Sequence, residues 1–277
     1  LRRAVMGNEN REATESELEA MGAMLESAFA QGAVGLSLGL FYTPGNYAPT
    51  SEVVKLCRIA AAWNRICEAH IRSESSRGLG VFAAIEEMIE IGRQSGAAMH
   101  IAHIKVLGRD VWGESARVIE LIERAQKDGI KITADQYPWV ASSTQLKNAI
   151  LSAEWLAGSR SQWRTRLLDA KNTEAVLADL EQGIARRGGG QMLMLVATDN
   201  PQIEGLRLSE VAQQWDMTEA QAALKLLQES PPRVVSFNMS ETDISNFMRR
   251  PWVATSSDGT DGHPRKYASF PRKYNRY

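Results

Sequence analysis

Apolar and polar positions between residues 14 and 137 predict a regular alternation of helices and strands. Thr14 to Glu17 form a capping-box pattern, and the apolar residues that follow recur at helical spacing as far as Phe29. The apolar run "AVGLSLGLFY" then predicts a buried strand. Three further helix patterns each precede a strand pattern, in the stretches "RICEAHI", "AAMHIAHIKV" and "IKITADQYPW". Such alternation is typical of an α/β fold whose parallel sheet is covered by helices.

This alternation of helix and strand patterns stops after residue 145, and a strand pattern returns near the end of the chain. Residues 146–244 contain helical patterns, one apolar strand pattern ("MLMLVAT") and a capped helix ("TEAQAALKLLQES"). We interpret them as an inserted α+β subdomain between central βα units in residues 1–145 and a final segment in residues 245–277. That final segment begins with a strand pattern ending at Asp258. Its stretch "GHPRKYASFPRKY" contains two prolines, which favour a loop.

Polar side chains follow the four predicted strands at nearly constant spacing. Tyr42, His70, His103 and Tyr137 are separated by 28, 33 and 34 residues, close to the length of one βα unit. Helical repeats also run near 33 residues, but the strand patterns here favour βα units. Because the carboxyl ends of parallel strands share one edge, we expect these four side chains to lie together, as at the mouth of a (β/α)8 barrel.

Composition narrows the class of ligand. The 277 residues are 44% hydrophobic, with a formal net charge of −1 and interspersed basic and acidic residues. This balance argues against nucleic acid and anionic membranes as partners and favours a small molecule. Cys57 and Cys67 are too few for a disulfide framework, and no apolar run suits a membrane span. We expect a cytoplasmic protein, and the start at Leu1 suggests a piece of a longer one.

Two histidines and one aspartate predict a zinc site. His70, His103 and Asp258 each lie at the end of a predicted strand, and imidazole nitrogens with a carboxylate oxygen suit zinc. Taken singly, each histidine is better explained by a hydrogen bond in the core, and Asp258 by a turn before glycine. Strand alternation places His100 on the face opposite His103, which makes it structural, and turns Cys67 away from His70.

Three cations near the expected mouth suit an anionic substrate group such as a carboxylate. They are Arg72, Lys105 and Arg265. For Arg72, a salt bridge to Glu74 or another nearby acid is an equally good explanation. Glu68, on the predicted face of His70, has no assigned role.

Five stretches in order resemble a known family. They are "GAVGLSLGLFYTPGNYAPTSE", "AHIRSES", "AHIKVLGRDVWG", "TADQYPWVASST" and "TSSDG" with "GHPRKYASFPR". Together they are similar to the N-acyl-D-amino-acid deacylases (D-aminoacylases) of the amidohydrolase superfamily. The resemblance covers nearly the whole chain and is weakest between about residues 150 and 230.

The resemblance implies a TIM-like (β/α)8 barrel that uses zinc to hydrolyse the amide of N-acyl-D-amino acids, giving a carboxylate and a D-amino acid. The resemblance implies that His70 and His103 are zinc ligands, and that Asp258 is the general base and contacts a second metal. It also implies a pocket wall that includes Tyr42. The groups that would hold the substrate carboxylate or carbonyl are Lys105, Tyr137, Ser143 and Arg265.

The chain also departs from this family. The family's first strand carries a His-x-His metal pair and a later cysteine ligand, and neither is found in this sequence. We therefore expect an internal fragment covering about strands 4–8, with an incomplete site for one or two zinc ions and no activity alone. One alternative is an amidohydrolase acting on cyclic amides, of the dihydropyrimidinase or dihydroorotase type, against which the "YPW" and "HPR" motifs argue. Another is a truncated barrel that serves as a non-catalytic module.

Overall fold

A computed structural model describes residues 1–76 and 78–277. The helices are α1 (Arg2–Met6), α2 (Glu15–Ala30), α3 (Thr50–Ala62), α4 (Val81–Ser95), α5 (Ser115–Lys127), α6 (Leu146–Ile150), α7 (Arg160–Leu168), α8 (Thr173–Arg186), α9 (Leu208–Gln214), α10 (Glu219–Gln228), α11 (Glu241–Met248) and α12 (Arg265–Arg276). The strands are β1 (Gly35–Gly39), β2 (Ile66–His70), β3 (Ala98–Ile101), β4 (Ile132–Gln136), β5 (Ser142–Gln145), β6 (Leu193–Val196), β7 (Arg233–Ser236) and β8 (Val253–Thr255).

Five strands form the predicted parallel sheet, in the order β1-β2-β3-β4-β8. Every neighbouring pair is parallel, and the chain passes through a helix between each of the first four strands. The expectation of an α/β fold with a parallel sheet is confirmed. Because β1 to β4 are adjacent in chain order, their carboxyl ends lie side by side at one edge.

The two faces of this sheet differ in polarity. One face presents buried side chains to the helices, with Leu36, Cys67, Met99 and Ile132 in successive register. The other face carries a polar row in which Ser37, Glu68, His100 and Thr133 are neighbours. The apolar face therefore anchors the sheet to the core, and the polar face is available for chemistry.

The helices α2 to α5 cover the apolar face. The predicted capping box of α2 is present: the Thr14 backbone donates to the Glu17 carboxylate at 2.8 Å, and the Glu17 backbone donates to the Thr14 hydroxyl at 3.3 Å. Their buried faces join the strands in one apolar core that extends from Met6 to Val253.

A second layer is built around an antiparallel sheet of order β5-β7-β6. Its separate apolar core comes from α6 to α10 and from β6 and β7. Strand β6 lies in the predicted stretch "MLMLVAT". The sequence does not predict strands β5 and β7, because β5 (SSTQ) is polar throughout and β7 (RVVS) is polar at both ends. Helix α11 packs instead against α5, β4 and β8 of the first layer. The boundaries proposed at residues 145 and 244 stay predictions.

The final segment corrects one expectation. The prolines at 264 and 271 favour a loop, but α12 runs from Arg265 to Arg276. Pro264 lies at the N-cap, where a missing N–H costs little. Pro271 lies inside the helix, where it cannot donate a backbone hydrogen bond and its ring crowds the carbonyl four residues earlier.

Two observations bear on the expected compartment. The structure joins Cys57 of α3 to Cys67 of β2 as a disulfide, with the Cα atoms 6.0 Å apart, where the sequence predicts no disulfide framework. None of the helices within residues 1–76 and 78–277 combines the length and apolar character that a membrane span requires. A cytoplasmic location stays a prediction.

A close contact inside the second layer gives a stability prediction. A Cβ atom at Gly183 of α8 would collide with the backbone carbonyl of Ile150, whose carbon atom would lie 2.6 Å away. We expect Gly183→Ala to lower the free energy of unfolding by about 2 kcal/mol, because overpacking against backbone outweighs the better helix propensity of alanine. Urea unfolding of the chain measures this change.

Gly22→Ala is the matched control. Gly22 is also buried in a helix, but a Cβ there would meet only the flexible end of Ile59 at 3.0 Å. Its free energy of unfolding should stay within about 1 kcal/mol of the parent. Equal stability of the two variants would contradict the proposed packing.

Candidate metal and substrate site

A cavity of about 1200 Å³ lies at the carboxyl edge of the parallel sheet. Seven of the eight predicted site residues line it: Tyr42, His70, His103, Lys105, Tyr137, Ser143 and Asp258. The eighth, Arg265, is fully buried and lies outside this wall. The fold thus brings together side chains that are more than 200 positions apart in the sequence, as the regular spacing of the strand ends predicts.

His70 and His103 are in direct contact. His70 Nδ1 and His103 Nε2 share a hydrogen bond at 2.9 Å, and the ring centroids are 4.5 Å apart. The second nitrogen of His70, Nε2, is buried and has no hydrogen-bond partner among the described residues. Burial lowers the pKa of His70 to about 3, against the opposing charge of Glu74. His70 is therefore a neutral imidazole, the form that binds a metal.

Glu74 is a member of this group that the sequence analysis missed. Its Oε1 atom lies 3.2 Å from His103 Nδ1, 3.8 Å from His70 Nε2 and 2.6 Å from Lys105 Nζ. Burial opposes ionisation, but Lys105 and the two histidines hold the pKa of Glu74 well below its ordinary value. Glu74 follows β2 by four residues and belongs to no strand, so strand alternation offered no signal for it.

The backbone at His103 departs from the predicted strand. Strand β3 ends at Ile101, and His103 has a φ of 37°, in the left-handed region. Its N–H donates to Asp135 Oδ1 at 3.0 Å, and the Ser256 hydroxyl donates to the same oxygen. Asp135 of β4 therefore holds the turn that directs the His103 imidazole into the cavity.

His100 has the structural role that the sequence predicts, because it hydrogen-bonds to Asp135. The prediction that it lies on the face of the sheet opposite the site is wrong. The register of His100 with Glu68 places it on the polar face of the sheet, the face of His70, because the turn at His103 breaks the alternation. His100 Nε2 lies 2.9 Å from Asp135 Oδ2, and its Nδ1 lies 2.8 Å from the Thr133 hydroxyl. His100 thus holds the Asp135 carboxylate in the position from which it accepts the His103 backbone N–H.

The Lys105 ammonium is buried between the Glu74–His103 contact and the Tyr137 ring. Its Nζ atom donates to Glu74 at 2.6 Å and to His103 Nδ1 at 2.7 Å. It also lies 5.5 Å from the centroid of the Tyr137 ring. The ammonium is 3% exposed, so its charge is balanced by Glu74 rather than by solvent.

Asp258 and Arg265 form an ion pair. Arg265 Nη2 lies 2.8 Å from Asp258 Oδ2, and the Arg265 guanidinium stacks 4.3 Å from the Tyr137 ring. Asp258 has a φ of 41°, which turns it out of the line of β8. It lies outside the compact group of His70, Glu74 and His103. Arg265 is therefore the charge partner of Asp258, whose side chain is 35% exposed.

Three hydroxyl groups face the same space. The Tyr42 hydroxyl lies 3.5 Å from the Thr144 hydroxyl, whereas those of Tyr137 and Ser143 are buried without a hydrogen-bond partner in the described structure. Burial raises the pKa of both tyrosines, so each keeps its proton as a donor. Unpaired buried hydroxyls favour a polar ligand.

The two remaining candidates have different surroundings. Arg72 forms the predicted kind of salt bridge, but with Glu87 at 2.9 Å rather than with Glu74, and it also donates to two backbone carbonyls. Glu68 lines the cavity without an ion pair in the part of the chain that the structure describes. Arg72 is therefore structural, and Glu68 provides a matched acidic control for Glu74.

The group formed by His70, Glu74 and His103 fits a zinc ion. One ligand atom from each residue lies within 4.8 Å of the others. Two imidazoles and one carboxylate are a common ligand set for zinc that keeps one position open. The unpaired Nε2 of His70 and the close pair of imidazole nitrogens are further features of such a site.

The chain is similar in sequence and structure to several known proteins. No family model matches it. It is 31% identical to the D-aminoacylase and 30% identical to the N-acyl-D-glutamate deacylase of Alcaligenes xylosoxydans xylosoxydans, in each case over the whole chain and 49% of the relative. A crystal structure of N-acyl-D-glutamate deacylase from Bordetella bronchiseptica, complexed with zinc and a phosphonate mimic of the tetrahedral intermediate, superposes with a TM-score of 0.75 and 29% identity. That superposition covers 97% of this chain and 49% of the other. Over its whole length the chain is thus similar to a D-aminoacylase and an N-acyl-D-glutamate deacylase, and it spans about half of the length of these relatives.

Proposed function

We propose that the protein carrying this chain uses zinc to hydrolyse the amide bond of N-acyl-D-amino acids, and that the chain supplies about strands 4–8 of an incomplete TIM-like barrel. The observation that carries the proposal is the contact between His70 and His103 at neighbouring strand ends, in a cavity that also contains Lys105 and Asp258. The deacylase names of the relatives support the reaction class.

His70 and His103 would hold the zinc, with Glu74 as the third member of the group. When bound, zinc supplies a Lewis acid that polarises the amide carbonyl and makes water a stronger nucleophile. With zinc on the other ring nitrogen, the proton of His103 would lie on Nδ1 and be donated to Glu74, 3.2 Å away, in place of the hydrogen bond that Nδ1 accepts from Lys105 in this structure. Glu74 therefore orients the ring and balances the charge of Lys105.

Asp258 would transfer the proton. Its carboxylate takes a proton from the attacking water and returns it to the leaving nitrogen, so that the amide becomes a carboxylate and an amine. The ion pair with Arg265 fixes one oxygen at 2.8 Å and leaves the other for this transfer. Tyr137, protonated and without a partner, would donate a hydrogen bond to the developing oxyanion.

Lys105 would bind the α-carboxylate of the substrate. An ammonium has three donors. Glu74 uses one, and His103 uses a second only while its Nδ1 carries no proton, so at least one remains for the substrate. Ser143 and Tyr42 add hydroxyl donors along the same wall. Fixing both the α-carboxylate and the amide determines which enantiomer places its side chain in the open part of the cavity.

The reaction itself can be measured on the full gene product that contains this sequence. We expect zinc-dependent release of acetate and free amino acid from N-acetyl-D-amino acids, because the amide and the α-carboxylate are bound together. The L enantiomers are the control and should react at least about tenfold more slowly. Equal rates for both enantiomers, or no release from either, would contradict the proposed function.

Zinc binding can be measured on the chain alone. We expect Glu74→Gln to weaken zinc binding by about 10- to 100-fold, because the carboxylate that orients His103 is lost. His70→Ala and His103→Ala should weaken it further, since each removes a ligand. The dissociation constants come from competition with a chelating dye.

Glu68→Gln is the control for that series. Glu68 is an acidic residue of the same cavity wall, and it lies outside the group of possible ligands. Its zinc affinity should match the parent. If Glu74→Gln and Glu68→Gln bound zinc equally well, Glu74 would have no part in the site.

The role of Lys105 is tested by Lys105→Met in the full gene product. We expect KM for N-acetyl-D-amino acids to rise by about 10- to 100-fold, because one charge-assisted hydrogen bond to the α-carboxylate is lost. Lys55→Met removes an exposed lysine that pairs with Glu15 and should leave KM unchanged. An unchanged KM in Lys105→Met would refute this assignment.

A further inference from the structure

Two residues of the candidate site have an unfavourable backbone conformation. His103, a proposed zinc ligand, has a φ of 37°, and Asp258, the proposed general base, has a φ of 41°. Within residues 1–76 and 78–277, the other non-glycine residues with a positive φ are Asn64, Ala197 and Asp216. A residue with a Cβ atom keeps such a conformation only where its surroundings hold it. The surrounding structure must therefore hold both turns at the mouth of the cavity.

Asp135 of β4 holds the first of these turns from two sides. Its Oδ1 atom accepts the His103 backbone N–H at 3.0 Å. Its own backbone carbonyl accepts the next N–H along the chain, that of Ile104, at 2.8 Å. The peptide groups on both sides of the His103 Cα atom are thus bonded to one residue, and this pair of hydrogen bonds fixes the left-handed turn.

The same carboxylate holds the end of β8, which leads to the second turn. The Ser256 hydroxyl donates to Asp135 Oδ1, the oxygen that also holds the first turn. The Ser256 backbone N–H donates to the Gln136 carbonyl at 3.1 Å, so both the side chain and the backbone of this serine are bonded to β4. Asp258 follows Ser256 by two residues. The last residue that β4 holds before the general base is therefore bonded to Asp135.

The Asp135 carboxylate is itself held on its other side. Its Oδ2 atom lies 2.9 Å from His100 Nε2, and His100 Nδ1 lies 2.8 Å from the Thr133 hydroxyl. Burial raises the pKa of Asp135, but its hydrogen bonds outweigh burial and leave the pKa below its ordinary value. The carboxylate is therefore ionised, and its hydrogen bonds are of the stronger, charge-assisted kind.

Asp135 reaches the site only through other residues. It lies outside the cavity wall, and its side chain is 15% exposed. The two donors to its Oδ1 atom lead to the two groups that the proposed reaction needs at a fixed separation, the zinc-binding imidazole and the carboxylate that transfers the proton. A misplacement of about 1 Å at a reacting group can cost about a hundredfold in rate. The position of this one oxygen atom therefore bears on both groups.

We propose that Asp135 is a positioning residue that sets the separation between the zinc-binding imidazole of His103 and the general base Asp258. This proposal rests on the proposed function. Because one oxygen atom accepts hydrogen bonds from both chain segments, a movement of that atom displaces both segments together. Loss of the Ser256 hydroxyl, in contrast, releases only the segment that carries Asp258. Separate substitutions can therefore uncouple the two segments.

The link to Asp258 is tested by Ser256→Ala in the full gene product. We expect kcat for N-acetyl-D-amino acids to fall by about tenfold, because the general base is no longer held at its proper distance. KM and the zinc dissociation constant should stay unchanged, because Lys105 and His103 keep their contacts. The measurements are steady-state kinetics and competition with a chelating dye.

Two further serine variants are the controls. Ser256→Thr keeps the hydroxyl and should restore most of kcat. Ser257→Ala removes the neighbouring hydroxyl, which has no hydrogen bond in the part of the chain that the structure describes, and should leave kcat unchanged. An unchanged kcat in Ser256→Ala, or equal losses of kcat and zinc affinity in that variant, would overturn the proposal.

The shared oxygen is tested by Asp135→Asn, which keeps the shape of the side chain and removes its charge. We expect both kcat and zinc affinity to fall by about 10- to 100-fold, because both segments lose a charge-assisted hydrogen bond. Asp243→Asn is the matched control, since Asp243 is also buried and accepts two backbone N–H groups, those of Gly113 and Ser115, outside the cavity wall. It should leave zinc affinity unchanged. Equal zinc affinities of Asp135→Asn and the parent would overturn the proposal.

Hydrogen exchange separates the role of Asp135 from the reaction. Deuterium uptake in residues 256–260, measured by mass spectrometry, should rise in Ser256→Ala and stay unchanged in Ser257→Ala, whether or not turnover occurs. A parent protein that hydrolyses no N-acyl-D-amino acid would refute the proposed function, and the exchange and zinc measurements would still decide the role of Asp135. Unchanged uptake in Ser256→Ala would overturn that role while leaving the deacylase function intact.

Discussion

The parallel register of β1 to β4 is the constraint on which the site depends. Each of these strands pairs with the next in chain order, so the residues that follow the strands meet at one edge. His70 ends β2 and His103 follows β3 by two residues, and the register brings their imidazole nitrogens to 2.9 Å. A shift of one residue in the register of β2 and β3 would move their ends about 3.3 Å past each other and break this contact.

Charge balance in the buried part of the site then links chemistry to stability. The Glu74 carboxylate contacts Lys105 and both histidines, so removing any one member leaves a buried charge or donor without its partner. Asp135 has a comparable role outside the cavity, where it accepts the His103 backbone N–H, the Ser256 hydroxyl and the His100 ring. Hydrogen bonds therefore hold the His103 ring and backbone before any ligand binds, and the His70 ring is held through its hydrogen bond to His103.

The repeating part of this arrangement could be predicted from sequence, and the irregular part could not. Helical and strand periodicity predicts α2 to α5 and the order of β1 to β4, because each buries one apolar face. Glu74 lies in a loop, and His103 adopts a left-handed backbone, so strand alternation has no bearing on either. Strands β5 (SSTQ) and β7 (RVVS) lack the apolar run that marks β6, and Pro271 argues against the helix that α12 forms.

The two layers thus contribute different parts of one cavity. The parallel sheet and the turns that follow it supply His70, His103 and Lys105, and the second layer supplies Ser143 of β5. Zinc anomalous diffraction from crystals grown with equimolar zinc tests the central claim most directly. We predict one peak in contact with the imidazole nitrogens of both His70 and His103. A map with no peak there, or with its zinc peak at other residues, would contradict the proposed site.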